Sequence, residues 1–141
     1  MSIQENVKGF QHLGLPVFDI EASKKWYCEN LGFELIHETK LPEGSGETKV
    51  AFLKLNDFVL EMYQPDKVQL DEIKKRGHGH IDHLAFDVDD IEAVAQKLKK
   101  AGIKTIEGSP KYLPFWKDGV EFFNVLGPNN EKIEFCQKLK R

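Results

Sequence analysis

The stretch Ile81-Asp82-His83-Leu84-Ala85-Phe86-Asp87-Val88-Asp89-Asp90-Ile91-Glu92-Ala93 decides the fold, because it repeats an earlier one. Laid over Gln11-His12-Leu13-Gly14-Leu15-Pro16-Val17-Phe18-Asp19-Ile20-Glu21-Ala22, it places His83 on His12 and Asp90-Ile91-Glu92-Ala93 on Asp19-Ile20-Glu21-Ala22. The two histidines lie 71 residues apart. Further on, Glu61-Met62-Tyr63-Gln64 meets Glu134-Phe135-Cys136-Gln137 at an offset of 73, so two residues of loop separate the registers. One module is written twice, each copy with a His near its start and a Glu near its end.

Each copy reads as β-α-β-β-β. In the first, residues 10–17 alternate as a strand with His12 and Gly14 on one face, and Pro16 marks its end or an edge. Asp19 is the expected N-cap of a helix over 20–31, and Gly32 its stop. Strands are expected at 33–38, 49–55 and 58–63, with a glycine-bearing mobile loop over 41–48 and a tight turn at Asn56-Asp57. On the last of these strands Val59, Glu61 and Tyr63 share a face. Residues 65–79 read as a connection with a short helix over 68–75.

The second copy opens at His80 or Ile81. Asp89 or Asp90 caps a helix whose apolar stripe is Ile91, Val94, Ala95, Leu98 and Ala101, ended by Gly102. Strands are expected at 103–107, 120–125 and 132–137, with a long loop over 108–119 and a turn at Gly127-Pro128-Asn129-Asn130. Glu134 and Cys136 share a face of the last strand. The whole reads as one domain over residues 1–141, with module one over about 8–64 and module two over about 80–137.

Composition removes several classes of function. Of 141 residues, 40% are hydrophobic and 30% charged, as in a globular domain able to bury a core. Twenty basic against 23 acidic side chains, with no long basic run, gives no nucleic-acid surface. No apolar stretch approaches a membrane span, and the lead Met1-Ser2-Ile3-Gln4-Glu5-Asn6 lacks the apolar region of a signal peptide. Cys28 and Cys136 make no disulfide framework, so reduced thiols in a cytoplasm are expected.

Two imidazoles and two carboxylates at matched positions suit a divalent first-row metal, if the sheets of the two copies bring the pairs together. Buried carboxylates placed close together call for a compensating cation. The bland alternative is a pair of glutamates facing solvent. Their matched positions, each with a matched His, weigh against it.

The paired modules, the strands Gln11-His12-Leu13-Gly14-Leu15 and Asp82-His83-Leu84-Ala85-Phe86, and the closing Gly127-Pro128-Asn129-Asn130-Glu131-Lys132-Ile133-Glu134-Phe135 resemble the vicinal oxygen chelate superfamily. That superfamily includes glyoxalase I, methylmalonyl-CoA epimerase, extradiol dioxygenases and the fosfomycin and bleomycin resistance proteins. The resemblance covers nearly the whole chain. It implies an α+β fold of two tandem βαβββ modules in a curved, barrel-like mixed sheet, with a metal site in the cleft. It implies His12, Glu61, His83 and Glu134 as ligands of one divalent ion: zinc, nickel or cobalt first, manganese or iron next. It also implies a homodimer, sometimes with exchanged modules.

The His-Glu-His-Glu order resembles glyoxalase I. The epimerase pattern favours Gln at the position of Glu61, and the dioxygenase pattern uses two His and one Glu. The implied chemistry is a lyase or isomerase reaction, with proton transfer beside a carbonyl through an enediolate on a small α-oxygenated substrate or its thiol adduct. By that similarity Glu134 is the base and Glu61 its partner. Two positions depart from the glutathione-contact pattern. Pro16 stands where Arg is common, and Gln64-Pro65 where Asn is common. The rivals are an epimerase, a dioxygenase, or a non-catalytic small-molecule binding or resistance protein.

Among the remaining residues, Tyr63, Lys111, Phe115 and Trp116 are candidates for the substrate pocket. The segment Lys111-Tyr112-Leu113-Pro114-Phe115-Trp116-Lys117-Asp118 is aromatic for a loop. It either covers a sheet edge or forms a wall over the metal, with Lys111 and Lys117 meeting an anionic group. Gly77-His78-Gly79-His80 reads as a solvated loop, and His37 as a surface or core histidine. Of Trp26 and Tyr27, one is expected to pack on the sheet and the other to stay near the surface. Cys136 reads as a small core residue.

Overall fold

The computed structural model describes residues 2–44, 46–76, 81–126 and 132–140. Among these the fold is α+β, with eight strands and three α-helices. The chain divides into two compact units, His12–Asp82 and Met1–Gln11 with His83–Arg141. Strand β1 (Val7–Pro16) gives its first residues to the latter and its last to the former.

The unit His12–Asp82 holds α1 (Ile20–Leu31), β2 (Glu34–Glu43), β3 (Gly46–Leu55), β4 (Phe58–Gln64) and α2 (Lys67–Lys74). Helix α1 starts where its free N–H groups find partners. The Asp19 carboxylate accepts from the Ala22 amide at 3.1 Å, and the Gln64 side-chain carbonyl accepts from the Ile20 amide at 2.9 Å. The helix stops at Gly32, whose φ of 83° is the left-handed conformation that ends helices. Strand β4 runs parallel to β1 and antiparallel to β3, and β2 flanks β3. Leu13, Leu15, Leu60, Met62, Ala51 and Leu53 share one face of this sheet and pack with Ile20, Tyr27 and Phe33. His12, Gly14, Glu61 and Phe52 fall on the other face, since Gly14 and Phe52 both stand opposite Glu61.

In the expected mobile loop over 41–48, residues 41–43 and 46–48 are strand instead. Leu41 pairs with Thr48 and Pro42 with Glu47, and the reversal is confined to the few residues around Gly44, whose φ is 54°. The Thr48 hydroxyl and the Gln69 amide both donate to the Glu43 carboxylate, which ties this hairpin to α2. The glycine therefore serves a tight reversal.

The second unit repeats the plan with β5 (His83–Val88), α3 (Ile91–Lys100), β6 (Lys111–Leu113), β7 (Val120–Leu126) and β8 (Lys132–Lys138). Strand β8 is parallel to β5 and antiparallel to β7, and β6 flanks β7. Asp90, and not Asp89, caps α3 by accepting from the Ala93 amide at 3.0 Å. Gln137 accepts from the Ile91 amide at 2.9 Å, as Gln64 does from Ile20. Val88, Ile91, Val94, Phe123, Val125 and Phe135 form the core of this unit. Full burial of a side chain such as Phe123 contributes about 1.5–3 kcal/mol.

The expected strand over 103–107 is absent, and a short strand, β6, lies within the expected long loop. Residues 103–107 do run beside β7, with the Ile106 amide donating to the Asn124 carbonyl at 2.7 Å. The next contact is made by a side chain. The Glu107 carboxylate accepts from both the backbone N–H and the Nδ2 of Asn124, each at 2.7 Å. A carboxylate replaces the backbone carbonyl that a ladder would need, and Gly108 (φ 85°) then turns the chain toward β6. No helix among the described residues is long and apolar enough to cross a membrane. The turn expected at Gly127–Asn130 lies outside the described residues.

Candidate metal centre

In the unit His12–Asp82, β1 and β4 put His12 and Glu61 side by side. Both are buried, at 2% and 7% exposure, and His12 Nε2 lies 3.5 Å from Glu61 Oε1. The Phe52 ring meets the His12 ring edge-on, 5.7 Å between centroids. Tyr63, two residues beyond Glu61 on the same face, donates its hydroxyl to Asp82. Burial, helped by the negative charges of Asp82 and Glu61, pushes its phenol far above the ordinary tyrosine value, so Tyr63 stays neutral.

The second unit reproduces the couple. His83 and Glu134 are buried at 7% and 8% exposure, and His83 Nε2 lies 3.7 Å from Glu134 Oε1. On the strand beyond, Asn124 stands opposite Glu134 and is itself buried.

Both separations exceed a hydrogen bond of about 2.7–3.2 Å. They approach the roughly 3.0–3.4 Å between neighbouring ligands that each lie about 2.1 Å from an ion. Imidazole nitrogen and carboxylate oxygen are donors for zinc, nickel, cobalt, manganese and iron alike. Each couple therefore fits a divalent ion in donor chemistry, with a spacing just above that of neighbouring ligands.

Of the other candidates, Lys111 and Lys117 are exposed, Phe115 is buried, and Trp116 is half-buried with φ 62°. Lys138, on the β8 face that carries Glu134 and Cys136, holds its ammonium 4.4 Å from the centre of the Trp116 ring. Cys136 is a buried core residue, and its backbone carbonyl accepts from Gln11 at 3.0 Å. Tyr27 packs on the sheet while Trp26 is half exposed. His37 is half-buried on β2 with its ring 6.0 Å from Phe52. His78 and His80 lie outside the described residues. Gln64, which departs from the glutathione pattern, caps α1. Asn124 was not among the expected site residues. Its signal was a lone amide in the apolar run Phe122-Phe123-Asn124-Val125-Leu126.

Residues 9–135 match the Glyoxalase/Bleomycin resistance protein/Dioxygenase superfamily. The chain belongs to that superfamily. It is 32% identical over 134 residues to the uncharacterised protein YwbC of Bacillus subtilis, covering 93% of this chain and 98% of that one. A probable lactoylglutathione lyase of Synechocystis is 29% identical over 133 residues, covering 89% of this chain and 92% of the other. The structure of methylmalonyl-CoA epimerase from Mycobacterium tuberculosis superposes with a TM-score of 0.81 at 24% identity, covering 99% of this chain and 94% of the other. That likeness shows the fold.

Proposed function

We propose that His12, Glu61, His83 and Glu134 together hold one divalent metal ion, and that the protein transfers a proton at the carbon beside a substrate carbonyl. The observation that carries the reading is the occurrence, in two units of one plan, of two buried His–carboxylate couples at 3.5 and 3.7 Å. A bound ion would supply Lewis-acid polarisation of the carbonyl. Glu134 then takes the proton from the neighbouring carbon and returns it, with Glu61 as its counterpart. Burial of both carboxylates keeps water from competing for that proton.

Return of the proton to the adjacent carbon gives a glyoxalase-I-like lyase or isomerase reaction. Return to the other face of the same carbon gives an epimerase reaction. The lyase and the epimerase among the similar proteins support the two outcomes alike. The substrate class is a small α-oxygenated carbonyl compound or its thiol adduct. The working unit in this reading is a cytoplasmic homodimer, which sedimentation equilibrium tests directly.

The deciding experiment is metal content by mass spectrometry on untagged protein, reconstituted in turn with Zn²⁺, Ni²⁺, Co²⁺ and Mn²⁺. About one ion per chain, reduced by His12→Ala and by His83→Ala alike, supports the joint site. Two ions per chain would mean that each couple binds alone. No bound ion under any of these conditions overturns the reading.

A further inference from the structure

Asn124 turns both of its backbone groups away from β8. Its carbonyl accepts from the Ile106 amide at 2.7 Å, and its amide donates to Glu107 Oε1 at 2.7 Å. Asn124 and Glu134 are therefore a non-hydrogen-bonded antiparallel pair, the kind whose Cα atoms approach to about 4.5 Å and whose side chains are closest. The two side chains leave the sheet on the same face, since cross-strand partners do so.

The orientation of the Asn124 amide is chemically determined. Nδ2 donates to Glu107 Oε2 at 2.7 Å, and only the NH₂ arm can donate to a carboxylate. The carbonyl arm, Oδ1, is thereby directed away from Glu107. It is buried and has no hydrogen-bond partner among the described residues. A buried acceptor without a donor costs about 1–3 kcal/mol, so its retention beside Glu134 points to a ligand that supplies one.

We propose that Asn124 Oδ1 accepts a hydrogen bond from a hydroxyl group of the substrate, with Glu107 as the positioning residue that locks the amide. The substrate class narrows to compounds bearing a hydroxyl next to the carbonyl carbon. Apolar or keto analogues of the same size are discriminated against. This rests on the metal-dependent reading above, because Glu134 must face the same substrate.

The test compares lactate with propionate, which differ by that hydroxyl. Dissociation constants are measured by ligand-observed NMR on the full chain reconstituted with Zn²⁺, after its metal content has been determined. The hydroxyl can also meet the ion, so the quantity read is the change in the propionate-to-lactate ratio on substitution. Asn124→Leu is expected to lower that ratio about tenfold, the worth of one hydrogen bond. Glu107→Gln, which releases the amide to rotate, is expected to lower it part of the way with metal content and melting temperature retained.

A purely structural role would weaken both acids equally and leave the ratio unchanged. Bound metal with an unchanged ratio in both variants overturns the assignment of Asn124 alone. Absence of bound metal overturns the metal reading and this inference together. Failure of the metal-loaded wild type to bind either acid counts against the hydroxyl site.

Discussion

His12 and Glu61 lie on β1 and β4 with Phe52 beside them, whereas His83 and Glu134 lie on β5 and β8 with Asn124 next to Glu134. The helix caps, the parallel strand pair and the His–carboxylate spacing are the same in both units. The residue across the strand from the glutamate differs. In one unit it is an apolar ring, Phe52, with no exposed surface, and in the other a buried amide held by Glu107. The strand-and-helix frame sets where a His and a Glu meet. The third strand sets what else surrounds them. Within the function proposed above, that asymmetry makes Glu134 the carboxylate that handles a polar substrate, and Glu61 the one that completes the proposed ligand set.

The largest expected effect tests this division. Solvent deuterium exchange at the carbon beside the carbonyl, in hemithioacetals, should fall about 10³-fold in Glu134→Gln, within the usual range for loss of a general base. Glu61→Gln should lose less, because an amide oxygen can still occupy a ligand position. Equal losses would make the two glutamates interchangeable and break the comparison.

A smaller effect tests the shared frame. Asp19→Ala and Asp90→Ala each remove a cap of nearly the same length, 3.1 and 3.0 Å. Each should cost about 1 kcal/mol in urea unfolding. A clear difference between the two would show that the helices are not equivalent in energy.

The smallest effect concerns a residue with no counterpart. Tyr63 is neutral and half-buried, and Cys136 stands at the matching position in the second unit. An unfolded tyrosine ionises near pH 10, and this one resists ionisation in the fold. Its contribution is therefore fully present below about pH 10 and is lost as the pH rises above that value. Tyr63→Phe should flatten the alkaline fall of the urea midpoint while leaving neutral stability within about 1 kcal/mol. An unchanged alkaline slope would mean that Tyr63 carries none of this dependence.

Much of the frame was legible in the chain. Apolar spacing and capping residues are local signals, so α1 starts and stops where Asp19 and Gly32 indicate, and α3 starts at one of the two expected caps, Asp90, and ends just before Gly102. The two-residue period of a strand likewise placed His12 with Gly14 and Glu61 with Tyr63. The strand expected at 103–107 failed for a non-local reason. The Glu107 carboxylate reaches a backbone amide 17 residues away, and no pattern in 103–107 foretells that. Residues 41–48 failed because a glycine permits a tight reversal as readily as a mobile loop, and only the pairing of Leu41 with Thr48 decides between them.

By itself, then, the sequence determined the duplication, the αβ order of each copy, and the identity of the four metal-ligand candidates. Period and spacing are properties of neighbouring residues. Tertiary structure alone decided that each His lies within 4 Å of its Glu, that Gln64 and Gln137 serve as helix caps, and that Asn124 keeps an acceptor buried beside Glu134. Those facts join residues on different strands, and a hydrogen bond or a ligand spacing between them exists only once the sheet has brought the strands side by side.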